Sequence, residues 1–130
     1  MAVVEWGDEQ REEVRTAAEL DALLERLATE ARAEGRPQDV QLTVEGAGTL
    51  GMVVGDDRSV LNHVPDNLDP PYMVSVGSEV SDEPFVFYVA GDNYSEALHR
   101  NTILPPAARA AMRHFLATGA LSPEVEWEQI

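Results

Sequence analysis

The sequence predicts an α+β fold: a mostly antiparallel sheet of about five to six strands with two helices packed on one face. Three observations lead there. Two stretches, near each end of the chain, carry apolar residues at helical spacing. Between them lie short segments whose apolar residues alternate with polar ones, the period of a half-buried strand. Turn residues separate those segments at intervals that suit a meander, in which neighbouring strands pair antiparallel.

Ala2-Val3-Val4-Glu5-Trp6 reads as the first short strand. The following GDEQREEV is charged and acid-rich, the composition of a mobile loop. Thr16 followed by Glu19 is a capping box, in which each side chain satisfies a backbone N–H at a helix start. Leu20, Leu23, Leu24, Leu27 and Ala31 then share one helical face, and Gly35 with Pro37 ends the helix. From Asp39 the period falls to two: Val40, Leu42 and Val44 alternate with Gln41, Thr43 and Glu45. Gly46-Ala47-Gly48 turns the chain into a strand at 49–54, and Gly55-Asp56-Asp57 turns it into another at 59–64. The loop PDNLDPP at 65–71 holds three prolines. Strands at 72–76 and 84–90 follow, separated by GSEVSDEP. A polar segment at 91–99 leads to Pro105-Pro106, suited to a first helical turn because proline lacks the N–H that would go unpaired there. Ala108, Ala111, Met112, Phe115 and Leu116 form the second apolar helical face, Gly119 caps it, and Val125-Glu126-Trp127 offers a last strand. Trp6 and Trp127, near opposite ends, read as packing that pins the termini to the sheet.

The 130 residues suit a single domain, 1–130, with no internal repeat or low-complexity linker. A hydrophobic share of 44% with 25% charged residues is that of a folded chain. No apolar run approaches the roughly 18–20 residues that span a bilayer, and no basic-then-apolar leader opens the chain. Cysteine is absent, which excludes thiol catalysis, disulfides and thiolate metal sites, and the expected location is the cytoplasm. Twenty-four Asp and Glu oppose nine basic residues, every one an arginine, for a net charge of −15. Such a chain repels nucleic acid and anionic membrane and attracts basic protein. Residues 36–103 hold most of the excess, with eleven acids against three arginines.

No motif of known chemistry stands out. His63, His99 and His114 lack the short ligand spacing of a zinc site, so no metal or cofactor is expected. GAGTLG at 46–51 lacks the spacing and lysine of a phosphate loop, and Ser95 sits in no nucleophile elbow. What recurs is acid and amide at turns. The candidate partner-binding residues are Asp56, Asp57, Asp66, Asp69, Tyr72, Asp82, Glu83, Asp92, Tyr94, Glu96 and His99. In a meander, the turn at 55–58 should share one sheet end with the loop at 77–84. The loop at 65–71 should share the other with 91–99.

The landmarks VEW, TAAELDALLERLATEA, GTLGMVVGDDRSVLNHV, FVFYVAGDNYSEA and PPAARAAMRHFLATGALSPEVEW together span nearly the whole chain. In this order they resemble the type-one Imm immunity proteins of bacterial polymorphic toxin systems, common in actinomycetes. The resemblance implies a small α+β protein that binds the C-terminal catalytic domain of a cognate toxin in the producer's cytoplasm. It further implies that the toxin acts on nucleic acid, often as a cytosine deaminase. It carries over no catalytic residue. Read from the residues, such a toxin is a basic protein to which −15 is attractive, with Tyr94, Tyr72 and His99 as candidate anchors flanked by Asp92 and Glu96. Two other readings stay open: a general interaction module, monomeric or homodimeric, and a small enzyme or ligand binder using Tyr94, Glu96 and His99.

Overall fold

The computed structural model describes residues 1–130. In chain order the elements are β1 (Ala2–Trp6), β2 (Gln10–Glu13), α1 (Ala17–Glu34), β3 (Gln38–Val44), β4 (Gly48–Val54), β5 (Leu61–Val64), β6 (Met73–Val76), β7 (Pro84–Val89) and β8 (Asn93–Leu98). A single 3₁₀ turn (His99–Asn101), α2 (Pro105–Thr118) and β9 (Glu126–Gln129) complete the chain. The class is the α+β expected, with two helices and a mostly antiparallel sheet. The strands number nine rather than five to six, for reasons that lie in β2 and β8.

Local chemistry places both helices. Thr16 takes extended backbone angles and its hydroxyl accepts the Glu19 N–H at 3.1 Å, while the Glu19 carboxylate accepts the Arg15 N–H at 2.7 Å. Gly35, at φ 65°, closes α1 in the left-handed conformation. The α1 face of Leu20, Leu23, Leu24, Leu27 and Ala31 is buried as the spacing requires. So is the α2 face of Ala108, Ala111, Met112 and Phe115. Both lie against the sheet side formed by Val4, Val40, Leu42, Leu50, Met52, Val54 and Leu61, making a core of 19 buried residues. Trp6 and Trp127 pack at its margin, as their positions near the chain ends suggested.

The main path of the sheet runs β2-β1-β3-β4-β5-β6-β9. Segment 7–15 is therefore not a loop throughout. Gln10–Glu13 pairs antiparallel with β1, Trp6 opposite Gln10 and Val3 opposite Glu13, although all four side chains are exposed. Its composition carries no strand signal; pairing with the free edge of β1 overrides propensity. Charges along β2 also discourage further strand addition at that edge.

The larger departure is β7. In a simple meander it would lie beside β6, but β9 takes that place, Ser75 opposite Trp127. The chain instead leaves the sheet plane. β7 meets β3 only at its end, Tyr88 beside Gln38 in parallel, and turns back as β8 with Tyr88 opposite Tyr94. The hairpin lies on the sheet face away from the helices. Phe85 and Phe87 pack there on Val53, Val60 and Val74 as a second small core. The molecule thus has three layers: helices, sheet and hairpin.

Candidate partner-binding surface

Of the residues singled out in sequence, several are held by arginines. Asp57 Oδ1 lies 3.2 Å from Arg32 Nη1, Asp82 Oδ1 lies 3.2 Å from Arg100 Nε, and Asp92 Oδ1 lies 2.6 Å from Arg36 Nη1. Asp56 Oδ1 accepts the Arg58 N–H at 3.1 Å. The Glu83 carbonyl accepts the His99 N–H at 2.9 Å, and the His99 ring stands edge-on to Phe85. Asp66 and Asp69 are exposed in the loop before Tyr72, whose hydroxyl donates to the Leu68 carbonyl at 2.7 Å.

The turn at 55–58 and the loop at 77–84 do share one sheet end. Arg58 donates to the Thr102 hydroxyl and carbonyl at 3.0 Å each, and Gly77 N–H donates to the Arg100 carbonyl at 2.8 Å. The second pairing of turns is corrected. Gly91 and Asp92 lie where β3 begins, the Gln38 amide donating to the Gly91 carbonyl at 3.2 Å. The loop at 65–71 lies beside Gly48, where β4 begins and β3 ends. The out-of-plane course of β7 puts the hairpin tip at the far end from that loop. Only as β8 runs back do Glu96 and Tyr72 come to line one groove.

The outer face of the hairpin is an ordered array. The Arg36 guanidinium sits 4.4 Å above the Tyr88 ring centroid, and Tyr88 meets Tyr94 edge-to-face at 6.2 Å. Tyr94 is 60% exposed and its hydroxyl donates to the Glu96 carboxylate. That hydrogen bond, with the carboxylate's charge, raises the Tyr94 pKa above the usual phenol value, so the phenol remains a neutral donor. An exposed tyrosine held by a neighbouring ring is a suitable anchor for a protein partner.

Beside this array lie several carboxylates that make no ion pair. Two clefts flank Trp6 and Gly7, one on each face of the sheet. The helix-side cleft, about 300 Å³, is bordered by Glu30 and Glu34 of α1, Gln38 and the Arg36–Asp92 pair. The hairpin-side cleft, about 240 Å³, is bordered by Glu5, Glu9, Gln10, Asp39, Gln41, Val89 and Ala90. Glu5, Asp8, Glu9, Glu30 and Glu34 make no ion pair. Asp39 is only 4% exposed; Oδ2 accepts from Gln41 Nε2 at 3.0 Å, while Oδ1 has no partner. Burial raises its pKa above the usual carboxylate value, opposed by the hydrogen bond from Gln41 and, less, by the neighbouring Asn62 side chain. Gly51 makes room for it: a Cβ there would lie 2.8 Å from Asp39 Oδ1 and 2.9 Å from Asn62 Oδ1. The Gln38 Oε1 atom is likewise buried and unpartnered.

A larger groove of about 710 Å³ runs between β8 and the β5-β6-β9 face. Val60, Val64, Val74 and Phe87 line it together with Asn101, Arg100 and Glu128. These polar residues are engaged: Asn101 Nδ2 donates to Ser75 O and Glu128 Oε1 at 2.9 Å, and Arg100 Nη1 donates to Glu128 Oε2 at 2.8 Å. The bond from Asn101, then those from Arg100, hold the Glu128 pKa below its usual value. The network ties the 3₁₀ turn to β6 and β9 and offers no free reactive group. His63 stands edge-on to Phe115 and bonds the Ala47 carbonyl at 3.2 Å, so the histidines are separated by their own packing.

Trp6, Glu5, Glu9, Glu30, Glu34 and Asp39 were not among the sequence candidates. Glu5, Glu30 and Glu34 carried only the signal of solvated strand and helix positions. Asp39 carried a usable one, an acid at the start of a β-branched strand, but nothing local says the hairpin covers it.

The family model described as Immunity protein Imm1 matches residues 8–129, which take in every landmark that carried the resemblance in sequence except Val4-Glu5-Trp6. No curated protein matches the chain.

Proposed function

The chain belongs to the Imm1 family of immunity proteins, and we propose that it neutralises its cognate toxin by presenting the acidic end of the sheet to a basic face of the toxin's C-terminal domain. The observation that carries this reading is the set of unpaired carboxylates around Trp6, with Tyr88 and Tyr94 alongside. The toxin is of the nucleic-acid-targeting, deaminase-like kind. Such an enzyme offers a cationic track for phosphates and a pocket for an extruded base. A carboxylate surface competes for the track, and long-range attraction speeds encounter. Inhibition is stoichiometric, without turnover, and takes place in the cytoplasm where the toxin is made. Tyr94 and Tyr88 supply desolvated contact area that charge alone does not.

The test is to mix the chain with the toxin domain encoded by the neighbouring gene. A complex of submicromolar affinity that abolishes toxin activity is expected, with association slowing steeply from low to high salt. A toxin that stays fully active beside a molar excess of this chain would refute the assignment for that pair.

A further inference from the structure

One edge of β8 has no partner strand. The Glu83 carbonyl accepts the His99 N–H at 2.9 Å, and this fixes the phase of the β7–β8 ladder. Asn93, Ser95 and Ala97 bond across to β7, while the N–H and C=O groups of Tyr94, Glu96 and Leu98 point away from it. Those outward groups bond nothing else in the chain. The terminal strands of the main sheet path are guarded by charge, β2 by Arg11, Glu12 and Glu13 and β9 by Glu126 and Glu128. By contrast β8 has no proline, an unbroken register and a single charge, Glu96. Its free edge opens on the groove of about 710 Å³. Four consecutive residues, Ser95 to Leu98, line that groove although their side chains alternate between the two faces of the hairpin, so the edge of the strand borders it. On the inward face Ser95 and Ala97, opposite Phe87 and Phe85, are small and leave the space above Val64 and Val74 open.

We propose that an extended segment of the toxin, about five or six residues alternating apolar with basic side chains, adds to β8 as a further strand and fills this groove. The inference rests on the immunity reading and gives it a defined backbone contact. The added strand takes up the free N–H and C=O groups of Tyr94, Glu96 and Leu98. Its inward side chains drop onto Val64, Val74 and Ile130, the last of which is 69% exposed. Its outward side chains stand beside Glu96, where a positive charge is favoured across the strand pair. Charge also selects the occupant. A second copy of this chain would bring −15 against −15, whereas a basic partner is drawn to the same edge. The edge begins at Tyr94, which also belongs to the array with Tyr88 and Arg36, so one face of the toxin reaches both.

The experiment has two arms. In the first, the isotope-labelled chain is titrated with a hexapeptide alternating valine and arginine, and with the same peptide carrying proline in place of its valines. Saturable shifts of the Tyr94, Glu96 and Leu98 backbone amides with the first peptide only support strand addition. Equal shifts with both peptides, or shifts that avoid β8, overturn it. So does protection of those amides that grows with chain concentration alone, because a second copy then takes the edge. In the second arm, amide exchange is followed in the complex with the toxin domain. Exchange at Tyr94, Glu96 and Leu98 should slow by about tenfold or more, while Ser95 and Ala97, already bonded to β7, change little. Glu96→Pro removes an outward N–H without touching the β7 ladder, and Glu96→Ala removes the same side chain but keeps the N–H. Toxin affinity should be at least about tenfold lower for the proline variant than for the alanine variant, with both melting as folded proteins. A tight toxin complex that leaves the three amides unprotected and does not distinguish the two variants overturns strand addition while leaving the immunity reading intact. Peptide binding along β8 without any toxin complex supports the edge and removes that toxin as the partner.

Discussion

Asp39→Asn isolates what one incompletely satisfied buried carboxyl costs the fold. The wild-type carboxyl is 4% exposed, accepts a single hydrogen bond from Gln41 and leaves Oδ1 unpaired. Asparagine has nearly the same shape, keeps an oxygen for Gln41 Nε2 and places an NH₂ beside the Asn62 oxygen that shares the space over Gly51. An unsatisfied buried group costs about 1–3 kcal/mol, more when charged, and the substitution relieves a large part of that. A gain of about 1–2 kcal/mol at pH 8 is expected, raising Tm by roughly 3–8 °C for a chain of this size. The pH dependence has a definite sign. Burial raises the folded-state pKa of Asp39 above 3.8, so the folded protein holds this proton more tightly than the unfolded chain. The stability linked to that proton is complete below the unfolded value and is lost as pH rises through the folded one. The Tm advantage of Asp39→Asn should therefore be greatest at pH 8 and fade toward pH 4, as thermal scans by circular dichroism at several pH values will read. An Asp39→Asn protein that melts below wild type at pH 8, or whose Tm difference ignores pH, refutes the reasoning.

Gly77→Ala would place a Cβ 1.8 Å from the Thr102 carbonyl oxygen and 3.0 Å from its carbon, both backbone atoms. Forcing the 3₁₀ turn off β6 should cost about 3 kcal/mol, seen as a lower denaturation midpoint with an unchanged slope. Phe115→Ala, at the fully buried centre of the α2 face, should cost about 3–5 kcal/mol by the same measurement. Tyr94→Ala, on the exposed outer hairpin face, should leave the melting temperature near wild type yet weaken toxin binding by about tenfold or more in calorimetric titration. Raising salt from about 50 to 500 mM should lower the association rate far more than it raises the dissociation rate, as stopped-flow mixing will show.

Much of the architecture was legible because it is written in short-range chemistry. Thr16, Glu19 and Gly35 bound α1 through bonds within a few residues, and the leucine spacing declares which side is buried. Val40, Leu42 and the turn at Gly46-Ala47-Gly48 likewise fix β3 and β4 by a local period and a local turn. The family was legible too, since its landmarks are those same hydrophobic blocks. Two strands were not legible. β2 is four exposed polar residues that become a strand only because β1 presents an open edge, and in β8 the polar run Asn93-Tyr94-Ser95-Glu96 has the composition of a loop, its pairing with β7 leaving no local mark.

The acidic excess, the absence of lysine and the lack of any catalytic spacing belong to the amino-acid sequence alone, and the expectation of a cationic partner comes from them. Which carboxylates lie together was decided only in three dimensions. Period-two alternation fixes the side of a strand, but not which strand becomes its neighbour. Once β9 occupies the edge of β6, the β7–β8 hairpin must cross to β3, and its tip then closes over Asp39. Residues separated by more than 80 positions, Glu5 and Val89 among them, become walls of one cleft through long-range strand pairing that leaves no local mark.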